Sequence, residues 1–154
     1  MTKNIYQSPK SNLQDSIDFT GMEKLFRTLV ISTTLLYVFF WFLPYIDHYW
    51  LNEDELDLAS WDAAGSIVPQ SLIINLIWFS IWVTTGIGLY FYRPAARTIF
   101  LFLMPISTVY SAFCGFLVLP PISAAIIGLV NMLDGAVLAV AYLTGVGKRF
   151  ESNI

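Results

Sequence analysis

Four long apolar runs separated by polar breaks organise the chain, at residues 25–43, 72–92, 98–119 and 122–146. Each is close to the ~20 residues that carry a helix across about 30 Å of hydrocarbon. Only the last contains a charged residue well inside it, Asp134; Arg27 sits at the edge of the first. The pattern predicts an all-α polytopic membrane protein, a four-transmembrane-helix bundle forming a single membrane domain over 1–154. Its helices fall at about 21–43, 72–92, 98–119 and 122–146. A flexible N-terminus (1–20) precedes them, an outer loop (44–71) separates the first two, and a short tail (147–154) follows.

Local signals set the ends. Thr20 followed by Glu23 fits a capping box, which starts the first helix near Gly21. That run is too long for the apolar core of a signal peptide, and Pro44 and Tyr45 follow it where small residues would mark cleavage, so it reads as an uncleaved signal anchor. The breaks at Arg93 to Arg97 and at Pro120 and Pro121 are short, which makes the last three helices tight antiparallel neighbours. Pro105 should bend the third helix and free a carbonyl near Leu101.

Composition agrees with a lipid solvent. Hydrophobic residues make up 56% of the 154 and charged residues 12%, against about 25% charged in an ordinary soluble domain. The net charge of −3 hides a segregation. Lys3, Lys10, Lys24, Arg27, Arg93, Arg97, Lys148 and Arg149 all fall in segments that an even number of crossings puts on one side. Asp47, Glu53, Asp54, Glu55, Asp57 and Asp62 fall on the other. The positive-inside rule makes the basic side cytoplasmic and the topology N-in/C-in. No internal repeat relates the two helical pairs, so a transporter built on this chain would have to be an oligomer.

Asp134 is the most informative residue, because a carboxylate near mid-membrane costs ~2.5 to 3.5 kcal/mol on insertion scales. On a helical wheel it shares a face with Ile127, Asn131, Leu138, Ala141 and Gly145, and that face is expected to point into protein. Thr33, Thr34, Thr84, Thr85, Ser107, Thr108 and Ser111 reach a similar depth and could hydrogen-bond the carboxyl. With no basic side chain at that level, desolvation favours the protonated acid. The candidate intramembrane polar site is therefore Asp134, Asn131, Thr84, Thr85, Ser107 and Thr108. It reads either as a proton-carrying site or as a neutral acid that fixes helix packing. Small residues at four-residue spacing, among them Gly128, Gly135, Ala139 and Gly145, predict close helix packing inside the bundle.

Other chemistries find little support. One cysteine, Cys114, cannot run a thiol-disulfide relay, which excludes quinone-linked disulfide-forming enzymes. One histidine, His48, cannot supply both axial ligands of a bis-histidine haem. There is no phosphate-binding glycine loop, and no nucleophile has a base near it. The outer-loop acids match no calcium or zinc spacing and read as a solvated face, with Tyr45, Tyr49, Trp50 and Trp61 as an interfacial aromatic belt. No metal or cofactor is expected. The basic residues are explained by orientation and contact with anionic lipid, and nucleic-acid binding is not expected.

Ala96-Arg97 opening the third helix, Leu133-Asp134-Gly135-Ala136 with Leu138-Ala139 and Tyr142 in the fourth, and the closing Arg149-Phe150 form a pattern over residues 93–150. It resembles small four-helix inner-membrane proteins of bacteria that have no assigned activity. The resemblance implies a bacterial inner-membrane location and a role for Asp134-Gly135. The function expected from all this is a non-enzymatic membrane scaffold or accessory subunit, acting with a membrane-protein partner or as a homo-oligomer. The alternative is a small oligomeric channel or proton-coupled transporter that uses Asp134.

Overall fold

The computed structural model describes residues 12–60, 62–68, 71–115 and 117–151. The expected flexible N-terminus up to residue 11, Trp61 of the aromatic belt and the last three residues of the tail lie outside these. So does the side chain of His48. Among the described residues six α-helices follow in order, α1 (Asn12–Ile46), α2 (Glu53–Ala59), α3 (Leu72–Tyr90), α4 (Pro94–Ala112), α5 (Pro121–Leu143) and α6 (Gly147–Glu151), with a 3-10 turn at Asp47–Tyr49. Segment Thr20–Ile46 of α1, together with α3, α4 and α5, is long and apolar enough to cross a membrane, and between 11 and 28% of each such stretch is buried inside the protein. The remaining apolar surface needs a lipid solvent, as residues such as Leu35, Phe102 and Leu143 show by facing outward.

Several ends differ from those the apolar runs suggest. The first helix does not start at Thr20; helical backbone is already established at Asn12, so Thr20 and Glu23 are interior and cap nothing. At its other end Pro44 is absorbed and the helix continues to Ile46. The third span begins earlier, with Pro94 at its first turn, where a missing N–H costs nothing. It also stops seven residues short of 119, at Ala112. Gly115 there takes φ +83, and a Cβ on it would lie 2.6 Å from both Ala64 O and Ser66 N. The chain from Phe113 onward instead docks the outer loop: Ile67 N–H donates to Phe113 O at 3.0 Å and Val118 N–H to Asp62 Oδ1 at 3.0 Å. The fourth span ends at Leu143, and α6 occupies the expected tail.

α1 packs most extensively on α5 and also on α3, α3 packs on α4, and α4 touches α5 only lightly. The expectation that the last three spans are successive tight neighbours therefore holds for α3 and α4 alone. After the non-helical residues 117–120, α5 lies mainly against α1 and only lightly against α4. The buried positions of α5 are Ser123, Val130, Asp134, Val137 and Ala141. Their steps of seven, four, three and four form a seam of the kind that lets two helices interlock over several turns.

Candidate intramembrane polar site

Thr33 lies at the centre of the Thr20–Ile46 span and Asp134 just past the middle of α5. Their helices cross there, and the Thr33 hydroxyl donates to Asp134 Oδ1 at 2.7 Å. Both side chains are buried, Asp134 to 1% exposure. Interhelical hydrogen bonds of this kind contribute about 0.6 kcal/mol on average and up to about 1.7 within membranes. The second carboxyl oxygen, Oδ2, is also buried and meets no protein hydrogen-bond partner among the described residues. A buried polar atom left in that state costs about 1–3 kcal/mol.

Beside the carboxyl is a cavity of about 10 Å³, which Thr33, Thr34, Tyr37, Trp82, Gly86 and Asp134 help to line. Val30, Leu89, Phe100 and Val130 add apolar surface to its lining. No Lys, Arg or His is among its walls. The Thr34 hydroxyl donates to Val30 O at 2.7 Å, one turn back along its own helix. Tyr37 and Trp82 stack at 5.3 Å, and Trp82 meets Phe100 edge-on at 5.7 Å, which fixes the aromatic side of the chamber. Gly86 sets its width, because a Cβ there would lie 2.4 Å from Thr34 Oγ1.

The hydroxyls matched by depth thus separate. Thr33 bonds the acid and Thr34 lines its cavity, whereas Thr85 is buried on α3 outside the lining and Thr84 is exposed. Ser107 and Thr108 both donate to Met104 O of their own helix, at 2.8 and 3.0 Å, in the turn that holds Pro105. Asn131 does not share the inward face with Asp134; it is exposed, as is Gly145. The inward stripe runs through Val130 and Val137 instead, so the wheel centred on Asp134 is rotated toward them. Gly128, Gly135 and Ala139 are likewise exposed, and a Cβ added at Gly128 or Gly135 meets nothing within 4 Å. These residues do not pack the bundle. The glycines that do are Gly86 and Gly88, the latter placed so that a Cβ would lie 2.6 Å from Ala96 Cβ.

A second cluster closes the end of the bundle where α1 begins its span and α5 ends. Phe26, Tyr92 and Phe150 lie within 5.4 to 5.8 Å of one another, Phe26 stacked on Tyr92 and Phe150 edge-on to both. Arg27 lies over the rings of Tyr90 and Tyr92, and Arg97 over those of Tyr142 and Phe150. Arg97 also donates to Gly147 O at 3.2 Å, and Glu23 pairs with Arg149. Cation–π contacts of this sort contribute about 0.5–1 kcal/mol when exposed and about 2 when desolvated. Arg97, Tyr142 and Phe150 were visible in the sequence as motif residues, but nothing there indicated that they converge.

At the opposite end, Asn52 and Glu55 form the reciprocal cap of α2, whose acids Glu53, Asp54, Glu55 and Asp57 are all exposed. Among the described residues no three His, Cys, Asp or Glu side chains converge as a metal site would require. Comparison with family models, with curated proteins and with solved structures finds no match to this chain.

Proposed function

We propose that the chain is a non-enzymatic membrane scaffold or accessory subunit that holds a membrane-protein partner, or a second copy of itself, against the outward face of α5. The observation that carries this reading is the position of Asn131 on that face among Gly128, Gly135 and Ala139, all exposed. An amide surrounded by lipid lacks the hydrogen bonds it has in water, and small residues flanking it let another helix approach closely. Asp134 then serves the bundle itself, as a neutral acid clasping α5 to α1. The segregation of Lys24, Arg27, Arg93, Arg97, Lys148 and Arg149 from the acids of α2 supports an N-in/C-in orientation. With the family resemblance, it also supports a bacterial inner membrane as the location.

Extraction in gentle detergent and in native nanodiscs tests the reading. A partner or a second copy should co-purify, and should be lost on Gly128→Leu or Asn131→Leu while the bundle stays folded. A lone monomer under every extraction condition would sink it.

The alternative, a proton-coupled channel or transporter, draws on the unpaired Asp134 Oδ2 beside a cavity. It requires a water path, and Thr84, Thr108 and Asn131 do not line that cavity. Proteoliposomes no leakier to protons than empty ones would remove it.

A further inference from the structure

We propose that the cavity at the Asp134 carboxyl is a built site for one water molecule, which binds Oδ2 and links α5 to the hydroxyls of α1 that line the same chamber. The inference is independent of what α5 binds on its outer face. It starts from an asymmetry in one side chain. Oδ1 is engaged by Thr33 at 2.7 Å, while Oδ2, on a residue only 1% exposed, has no protein partner among the described residues. Whether the acid carries its proton or not, Oδ2 needs a partner, and a water can both donate and accept.

The size and chemistry of the chamber select that ligand. About 10 Å³ is at the lower limit, roughly 10–15 Å³, for holding a single water, and such waters make two to four hydrogen bonds. Thr34 donates its own proton to Val30 O at 2.7 Å, so its oxygen keeps lone pairs for a donor. Tyr37 and Trp82 belong to the same lining. A hard cation would need about six oxygen ligands, and the only oxygen-bearing side chains among the lining residues are those of Asp134, Thr33, Thr34 and Tyr37. An apolar molecule of any kind is too large and would leave Oδ2 unsatisfied.

The site also explains why α3 presents glycine at position 86. A Cβ there would lie 2.4 Å from Thr34 Oγ1, forcing that hydroxyl to move and distorting the chamber. The water would therefore depend on three helices at once: α5 for the carboxyl, α1 for the hydroxyls, and α3 for the space.

The test uses the full chain in nanodiscs, in a structure at a resolution that shows ordered solvent. The expected result is one density peak within about 3.2 Å of Asp134 Oδ2, and an internal-water O–H stretch in the infrared that shifts on exchange into ¹⁸O-water and is missing from Asp134→Leu. Gly86→Ala should weaken or remove the same band. A chamber with no peak, or Oδ2 in direct contact with a protein group, would overturn the proposal. A peak replaced by thallium ions would also overturn it, by showing a cation site. Because the density and the isotope shift are read on the unaltered protein, a variant that fails to fold does not blunt the test.

Discussion

Thr33 and Asp134, 101 positions apart in the chain, meet through a single 2.7 Å hydrogen bond at the centre of the bundle. Removing one partner leaves the other buried and unmatched, whereas an isosteric amide preserves a bond acceptor in the same place. Asp134→Asn should therefore change stability by less than about 1 kcal/mol, and Asp134→Leu should cost about 1–3 kcal/mol. A double-mutant cycle with Thr33→Val, read by reversible unfolding in mixed micelles, should give a coupling of about 0.6–1.7 kcal/mol. Zero coupling would mean that the bond contributes nothing.

The glycines divide into two groups that composition does not distinguish. Gly86→Ala drives a methyl into Thr34 and should cost about 1–3 kcal/mol, the usual range for overpacking. Gly128→Ala and Gly135→Ala meet open space and should leave stability unchanged or raise it by up to about 1 kcal/mol, because alanine favours the helix. Equal effects at positions 86 and 135 in the same unfolding assay would contradict the packing of α1 on α3.

The contrast shows what the sequence can and cannot express. Hydropathy reports which solvent a segment prefers, and it located all four spans. It cannot report where backbone hydrogen bonding stops, so the apolar stretch from Phe113 to Leu119 looked helical although Gly115 turns the chain and the outer loop takes its hydrogen bonds. Asp134 stood out because a carboxyl in an apolar run is costly anywhere. Its partner did not, since Thr33, Thr34, Thr84 and Thr85 have similar depth and differ only in helix rotation, which the contacts of α1 with α3 and α5 decide. Asn131 shares a wheel face with Asp134 in the sequence yet faces outward, for the same reason. Tyr37 and Trp82 left no signal at all, as aromatics inside an apolar run look the same whether they wall a cavity or face lipid.

Gly115 offers a local test. Alanine there would combine a left-handed φ of +83 with contacts of 2.6 Å to backbone atoms of Ala64 and Ser66. Backbone cannot swing aside as a side chain can, so the strain, of order 1–3 kcal/mol, should fall on the docking of the outer loop. Faster amide exchange at Ile67 and Val118 in Gly115→Ala, with the spans unchanged, is the expected outcome. Unaltered exchange at both would show that the loop does not depend on this turn.

Asp47 follows the end of the first span and is partly buried, which pushes its carboxyl above the usual carboxylate range. A raised pKa in an acid means that the folded form holds its proton more tightly than the unfolded form. Its cost to stability should therefore be fully present above the folded-state value and be relieved as pH falls from there to the unfolded value. The protection factors at Trp50 and Leu51, whose N–H groups donate to Asp47 O, should rise on acidification in the parent protein once the intrinsic pH dependence of amide exchange is divided out, and lose that rise in Asp47→Asn. Persistence of the same pH profile in the variant would assign it to another group.

The orientation proposed above follows from charge alone and can be overturned by one set of labels. Ala95 stands between Arg93 and Arg97 in the first turn of α4 and is exposed. Ser60 caps the acidic α2 beyond the other end of the spans, also exposed. If basic residues are retained in the cytoplasm, single cysteines at Ser11, Ala95 and Ser152, in a Cys114→Ala background, should resist a membrane-impermeant thiol reagent on intact cells. A cysteine at Ser60 should react. After lysis all four should label, which separates protection by the membrane from protection by the fold. Labelling at 95 or 152 without lysis would reverse the topology and place the aromatic and cation cluster around Arg97 outside the cell.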